Sequence, residues 1–249
     1  MSLSPSPLRA ALLAQIVAGI IVAALMHWVT PALSEMPLAA AALQGVCAAV
    51  ISHRLGAAKW WLPIHCIFLP AVILAGRLEI AAGWYLAAFV LLLLIYWRTD
   101  QSRVPLYLSN ALTAQALIGL LPPQPCQVID LGCGHGGLLR HLARARRDCH
   151  FLGIEHAPLP WLWARLASIA QPNLQIRYGD FWRHSLAPYD IVYAFLSPVP
   201  MPRLMDKAGS EMRPGALLVS NSFVVPGRVA ERIVTVADRR ATQLHCYRL

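Results

Sequence analysis

The stretch Val128-Ile-Asp-Leu-Gly-Cys-Gly-His-Gly-Gly137 decides how this chain is read. A short apolar run, Gln127–Leu131, reaches a glycine turn, Gly132–Gly137, and Leu138–Arg146 continues with helical spacing. Glycine lets the backbone pass close to a ligand, and a helix start offers unpaired N–H groups. In an open parallel sheet, such a turn lies at the carboxyl end of a strand, where ligands bind.

Outward from this turn the alternation repeats. His150–Glu155 reads as a second strand and Leu159–Ala170 as a second helix. Leu174–Tyr178 is a third strand. Asp190–Leu196 is a fourth, followed by a helix over Arg203–Met212, and Ala216–Ser222 is a fifth. Glu231–Val236 and Gln243–Arg248 pair as a closing hairpin. Upstream, Ser109–Leu121 reads as a helix capped by Ser109 and stopped by Pro122, Pro123 and Pro125. Strand–helix alternation predicts an α/β fold with a Rossmann-like, doubly wound, mostly parallel sheet.

Composition divides the chain. Of its 33 charged residues, 27 fall in the last 152 positions, while 57% of the whole is hydrophobic. A disordered chain would be polar and highly charged, so that class is excluded. Residues 1–97 hold four apolar segments, Leu8–Val29, Met36–Ser52, Trp60–Gly76 and Leu78–Trp97. A bilayer core takes about 20 residues of helix, with ~17 as the short limit. The expectation is an all-α transmembrane region of about four helices over 1–97. A linker and leading helix over 98–125 and a soluble α/β domain over 126–249 follow. Arg9, Arg54 with Lys59, and Arg98 with Arg103 flank the segments on one side. Positive-inside then predicts a multi-pass membrane protein with its soluble domain in the cytoplasm.

Two cofactors compete for the glycine turn. Gly132, Gly134 and Gly137 satisfy a dinucleotide spacing, and Glu155 stands 23 residues after Gly132, where a ribose-binding acid belongs. Against it, Asp130 sits two residues before the first glycine. A carboxylate there repels a pyrophosphate and suits an ammonium group. S-adenosylmethionine carries an amino-acid tail and a sulfonium and has no phosphate.

Asp130-Leu-Gly-Cys-Gly-His-Gly136 resembles the first motif of class I S-adenosylmethionine-dependent methyltransferases. The resemblance implies that Gly132, Gly134 and Gly136 line the methionine end and that Asp130 positions the amino group. It implies that Glu155 holds the ribose hydroxyls, that Asp180 approaches the adenine amino group and that Phe181 flanks the ring. A narrower resemblance covers most of 104–226. It runs through Val104-Pro-Leu-Tyr107, Gly153-Ile-Glu-His-Ala-Pro158, Trp161, Asp180-Phe-Trp182 and Tyr189-Asp-Ile-Val-Tyr-Ala-Phe195. These are similar in order and spacing to the membrane-anchored mitochondrial lysine methyltransferases of the ATP synthase c-subunit and the adenine nucleotide translocase. The chain departs by having four apolar segments in place of a short anchor, and by His135 where those enzymes carry an acid.

The resemblance implies N-methylation of a lysine on a membrane-protein partner. The alternatives are methylation of a lipid or lipophilic small molecule, and a membrane scaffold that binds the cofactor without turnover. No general base stands out: Asp190, Tyr193 and Ser197 lie in or beside the fourth strand without a distinguishing signal. Cys126, Cys133, His135, His141, Cys149 and His150 match no zinc spacing, so no metal is expected. Arg140, Arg144, Arg146 and Arg147 form a basic patch. On a membrane-bound chain it reads as attracted to anionic lipid, and no nucleic-acid partner is expected.

Overall fold

Each apolar segment of the first part forms one helix. The computed structural model describes residues 7–97 and 107–249, in two units, Met1–Ala87 and Ala88–Leu249. The helices are α1 (Pro7–Trp28), α2 (Pro37–Arg54), α3 (Trp61–Gly76) and α4 (Ala82–Ile95), the last running across the division between the units. α2 packs on both α1 and α3. The faces they bury are small: Ala10, Ala14 and Ala18 of α1, and Ala41, Gly45 and Ala48 of α2. At Gly45 a Cβ would stand 2.7 Å from the carbonyl oxygen of His65 and 2.9 Å from the Cα of Cys66, so this approach of α2 to α3 requires glycine. Leu12, Ile16, Ile20, Ile67 and Phe68 point outward instead. Inside, one side chain from each helix joins a polar chain. Gln44 Nε2 donates to Gln15 Oε1 (2.6 Å), and Gln15 Nε2 lies 2.9 Å from His65 Nδ1.

The expectation of four membrane spans is corrected. Among the described residues one helix, Arg9–Trp28, is long and apolar enough to cross a bilayer. α3 and α4 have 16 and 14 residues, short of the ~20 a span needs. α2 is long enough but carries Gln44, Ser52, His53 and Arg54. Hydropathy overstated the fourth segment because it cannot see the turn before α4, where Glu79 takes a left-handed φ of 51° and Leu78–Ala81 fall outside the helix, while the third was short from the start.

After α4, the next described helix of the second unit is α5 (Ala111–Ile118). Its cap is Asn110, whose Oδ1 accepts from the Thr113 amide at 2.8 Å. Ser109, the expected cap, is engaged elsewhere. Then come β1 (Gln127–Leu131), α6 (Gly137–Ala145), β2 (His150–Glu155), α7 (Pro158–Ala167) and β3 (Leu174–Tyr178). A short 3-10 turn (Phe181–Arg183) precedes β4 (Ile191–Ala194), α8 (Met201–Glu211), β5 (Leu217–Asn221), β6 (Arg232–Thr235) and β7 (Gln243–Arg248). The sheet order is β3-β2-β1-β4-β5-β7-β6. β1 to β5 are parallel and β7 is antiparallel to both its neighbours. This is the mixed Rossmann-like sheet the alternation predicted.

Side chains alternate across the sheet, so each strand feeds two cores. Val128, Ile191, Tyr193 and Val219 pack with Leu117 of α5, Leu139 and Leu142 of α6 and Ala164 of α7. Ile129, Val192 and Leu218 pack with Met201, Leu204 and Ala208 of α8. Three helices therefore cover one face and α8 the other. All the loops that follow β1 to β5 gather along one edge of the sheet.

Candidate active site

β1, β2 and β3 each deliver a carboxylate to that edge. Asp130 is the fourth residue of β1, Glu155 ends β2 and Asp180 follows β3 by two residues. Asp130 is 4% exposed. Burial, with the neighbouring Glu155 charge, pushes its carboxyl up to about 8. A carboxylate placed like this is a site for a cation, since a positive partner removes the cost that burial imposes.

Glu155 is tied into the glycine turn. Its Oε2 accepts from the Gly134 amide at 2.7 Å, and its Oε1 accepts from the amides of His156 and Ala157 at 2.8 Å each. The carboxylate thus fixes the turn after β1 to the start of α7. Gly132 adopts φ +85° and its missing Cβ would face open space, with Leu196 Cδ2 at 3.9 Å. The backbone there needs glycine and is uncovered on the ligand side. Gly136, at φ +72°, is the residue on which α6 starts; a Cβ would stand 3.1 Å from that of Ala164. His135 leans over Gly137, and burial with the adjacent Arg140 lowers its pKa. Asp180 Oδ1 accepts from the Trp182 amide at 3.0 Å, which caps the 3-10 turn and sets Phe181 and Trp182 in contact, ring centres 4.8 Å apart. Arg203 stacks on Trp182 at 4.1 Å.

The second half of the edge is aromatic. Tyr107 lies against Phe195 (4.7 Å, 14° between planes) and Phe223 (5.6 Å), the latter two just beyond β4 and β5. Beneath them Tyr193 is buried, its Oη 2.7 Å from both Ser109 Oγ and Asn221 Nδ2. Asn221 can only donate through Nδ2, so Tyr193 passes its own proton to Ser109 and leaves no orphan. Burial and the Asp130 charge raise the Tyr193 phenol well above its usual value, so it stays neutral.

These positions sort the sequence candidates. Asp130, Gly132, Gly134, Gly136, Glu155, Asp180 and Phe181 all lie along the same strand edge. Asp190 does not. It starts β4 at the far end, where Oδ2 accepts from the Gln127 amide and Oδ1 pairs with Arg213 at 2.9 Å. Ser197 is buried and its Oγ has no partner. Asn221 and Phe223 escaped the sequence reading, although both follow directly from the carboxyl end of the fifth strand. A cavity of roughly 430 Å³ at the opposite edge, lined by Gln127, His150, Asn173 and Arg177, shares none of these residues.

The donor set fits S-adenosylmethionine. A buried acid awaits a cation, and a second acid stands beyond it. The Arg140 guanidinium is turned back to donate to the His135 carbonyl at 2.6 Å, and the histidines at the turn, His135 and His141, lie against Gly137 at its helix end.

Comparisons with known proteins agree. The family described as the ANTKMT methyltransferase domain matches residues 130–232. The adenine nucleotide translocase lysine N-methyltransferase of Mus musculus is 33% identical over 168 residues, which are 61% of this chain and 70% of that enzyme. The chain belongs to this family of class I methyltransferases. S-adenosylmethionine is its cofactor. Trans-aconitate 2-methyltransferase of Deinococcus radiodurans is 33% identical over 155 residues, 59% of this chain, and the match spans 58% of that enzyme's length. An RNA methyltransferase from Salinibacter ruber, solved with S-adenosyl-L-homocysteine, superposes with a TM-score of 0.51 at 21% identity. The superposition covers 57% of this chain and 93% of that one, a likeness of fold.

Proposed function

We propose that this methyltransferase N-methylates a lysine of a membrane protein. It is held in the same membrane by its N-terminal helix α1, with the catalytic unit on the cytoplasmic side. The match to the mouse lysine methyltransferase over 70% of that enzyme carries the choice of acceptor. The packing of α1 to α3 supports the location, because small residues inside and large apolar residues outside suit a lipid surround. Tethering raises the effective concentration of an acceptor confined to the same bilayer.

When bound, the cofactor supplies a methyl group made electrophilic by its sulfonium. The chain's own residues do the rest. Asp130 gives up its proton to receive the ammonium of the methionine tail. Glu155 and Asp180 offer carboxylate oxygens to the ribose hydroxyls and the adenine amino group, and Phe181 flanks the ring. Tyr107, Phe195 and Phe223 wall the acceptor side, where aromatic faces hold a lysine nitrogen whose methylated forms remain cationic. Transfer requires the neutral amine. Tyr193 is held as a phenol and Asp190 is committed to Arg213, so the proton leaves to solvent, and the protein contributes mainly orientation and exclusion of water.

A lipophilic small molecule is the second reading, favoured by Val199, Val224 and Val229, which stand exposed in the loops after β4 and β5. Membranes from cells lacking the protein, supplied with purified enzyme and methyl-labelled cofactor, separate the two. Label in a discrete protein band, absent with Asp130→Ala, supports the lysine reading. Label confined to the lipid extract favours the second. A chain that binds the cofactor yet labels neither fraction would be the non-catalytic scaffold.

A further inference from the structure

We infer that the outer face of α7, together with the basic face of α6 beside it, seats the catalytic unit on an anionic lipid surface. α7 is apolar on both sides. Pro160 and Ala164 are buried against the sheet. On the opposite side Leu162, Trp163 and Leu166 are exposed, as is Ile169 in the turn beyond, Trp163 at 62% and Ile169 at 76%. At about 100° per residue, Leu162, Leu166 and Ile169 share one narrow stripe with Trp163 at its margin. A helix covering a sheet in water turns a polar side outward. α8, on the other face of the same sheet, does so with Arg203, Asp206 and Ser210, and has no large exposed apolar residue. The two helices carry the same structural duty, so the stripe on α7 is surplus to it.

Charge says what covers the stripe. α6 and α7 contain no acidic residue. Arg165 is exposed on α7, and His141, Arg144 and Arg147 are exposed on α6 and just after it. The helices abut: Gln171, past the end of α7, donates to the Arg140 carbonyl at 3.4 Å, and Gly136 meets Ala164. Arg146, counted with the patch in the sequence, faces away from this role. It binds Asp148 and the carbonyls of Pro122, Pro123 and Gln124. The remaining surface offers apolar side chains, an exposed tryptophan and guanidinium groups together. An anionic bilayer interface takes all three at once. Laid on lipid by this helical layer, the sheet presents its cofactor edge sideways along the membrane surface, the level at which lysines flanking a membrane helix lie. The inference rests on the membrane location proposed above and adds a second, peripheral contact made by the catalytic unit itself.

Nitroxide labels on the full chain in lipid nanodiscs test it. One is placed at Ile169→Cys and a control at Arg239→Cys, in the exposed turn between β6 and β7. The unsubstituted chain gives the background from its own cysteines. In phosphatidylcholine discs containing phosphatidylglycerol, residue 169 should collide several-fold more with oxygen, relative to a nickel chelate, than residue 239 does. Arg144→Glu with Arg147→Glu, high salt or pure phosphatidylcholine should reduce that ratio. A label at 169 as open to the chelate as the one at 239, on chains that co-elute with the discs, overturns the inference while leaving the anchor intact. A label shielded from both probes in detergent alone also overturns it, because protein then covers the stripe. Chains that fail to co-elute remove the membrane location and the inference together, whereas cofactor binding by the same sample reports separately on the methyltransferase reading.

Discussion

The two units of this chain bury opposite kinds of residue. Around α1 to α3, alanine and glycine are inside while leucine, isoleucine and phenylalanine face out. Around the sheet, leucine, isoleucine, valine and methionine are inside and, apart from α7 and Leu112 of α5, the helices face out without large apolar groups. Water explains the second pattern, since burying large apolar side chains is its main reward. It does not explain the first. The proposed membrane location would explain it: in a surround as apolar as leucine, close backbone approach decides, and small residues permit it.

Substitutions of one kind should therefore act differently in the two units. Leu142→Ala, in the core under α6, should lower unfolding free energy by about 2–5 kcal/mol in detergent solution. Leu13→Ala, exposed on α1, should change it by less than about 0.5 kcal/mol. Equal losses would break the comparison. Insertions should do the reverse. Gly45→Ala drives a methyl into the backbone of α3 and should cost about 1–3 kcal/mol, read as protease cleavage between α2 and α3. Gly153→Ala meets only side-chain ends, those of Cys133, Leu139 and Ile176, and should cost less because they can shift.

The same contrast explains what the sequence made legible. The first three strands begin and end where the apolar runs do, because each run is bounded by a turn of glycine, proline or a charged residue. The glycine turn, Asp130 and Glu155 stood out by short-range spacing, whereas Asp180 entered only through the family resemblance. The helical unit was read by hydropathy, which counts apolar residues without sensing where a helix breaks. It began segment four at Leu78, inside the turn that precedes α4. The cap of α5 was misplaced by one residue, since Ser109 finds a better partner in Tyr193, a contact across 84 positions that no local pattern encodes. The aromatic wall is hidden for the same reason: Tyr107, Phe195 and Phe223 come from three separate segments.

Smaller effects sharpen the account of the site. Tyr193→Phe leaves the Asn221 amide without its acceptor and should cost about 1–3 kcal/mol of stability while leaving cofactor affinity nearly unchanged. Asp130→Asn should raise the melting temperature of the cofactor-free protein above neutral pH. The folded Asp130 binds its proton up to about pH 8, against about 4 when unfolded. Stability is thus highest below the unfolded value and is lost as pH rises through 8. The asparagine variant should flatten that slope.

Titration calorimetry of S-adenosylmethionine into the purified full chain across pH 6 to 9 tests the central claim most directly. Well below pH 8 the cofactor must displace a proton from Asp130, so affinity should rise about tenfold per pH unit, and the rise should end near 8, where Asp130 ionises and the cofactor's own ammonium begins to lose its proton. Asp130→Ala should abolish binding at every pH. Affinity independent of pH, or undiminished in Asp130→Ala, would contradict a site built around this buried carboxylate.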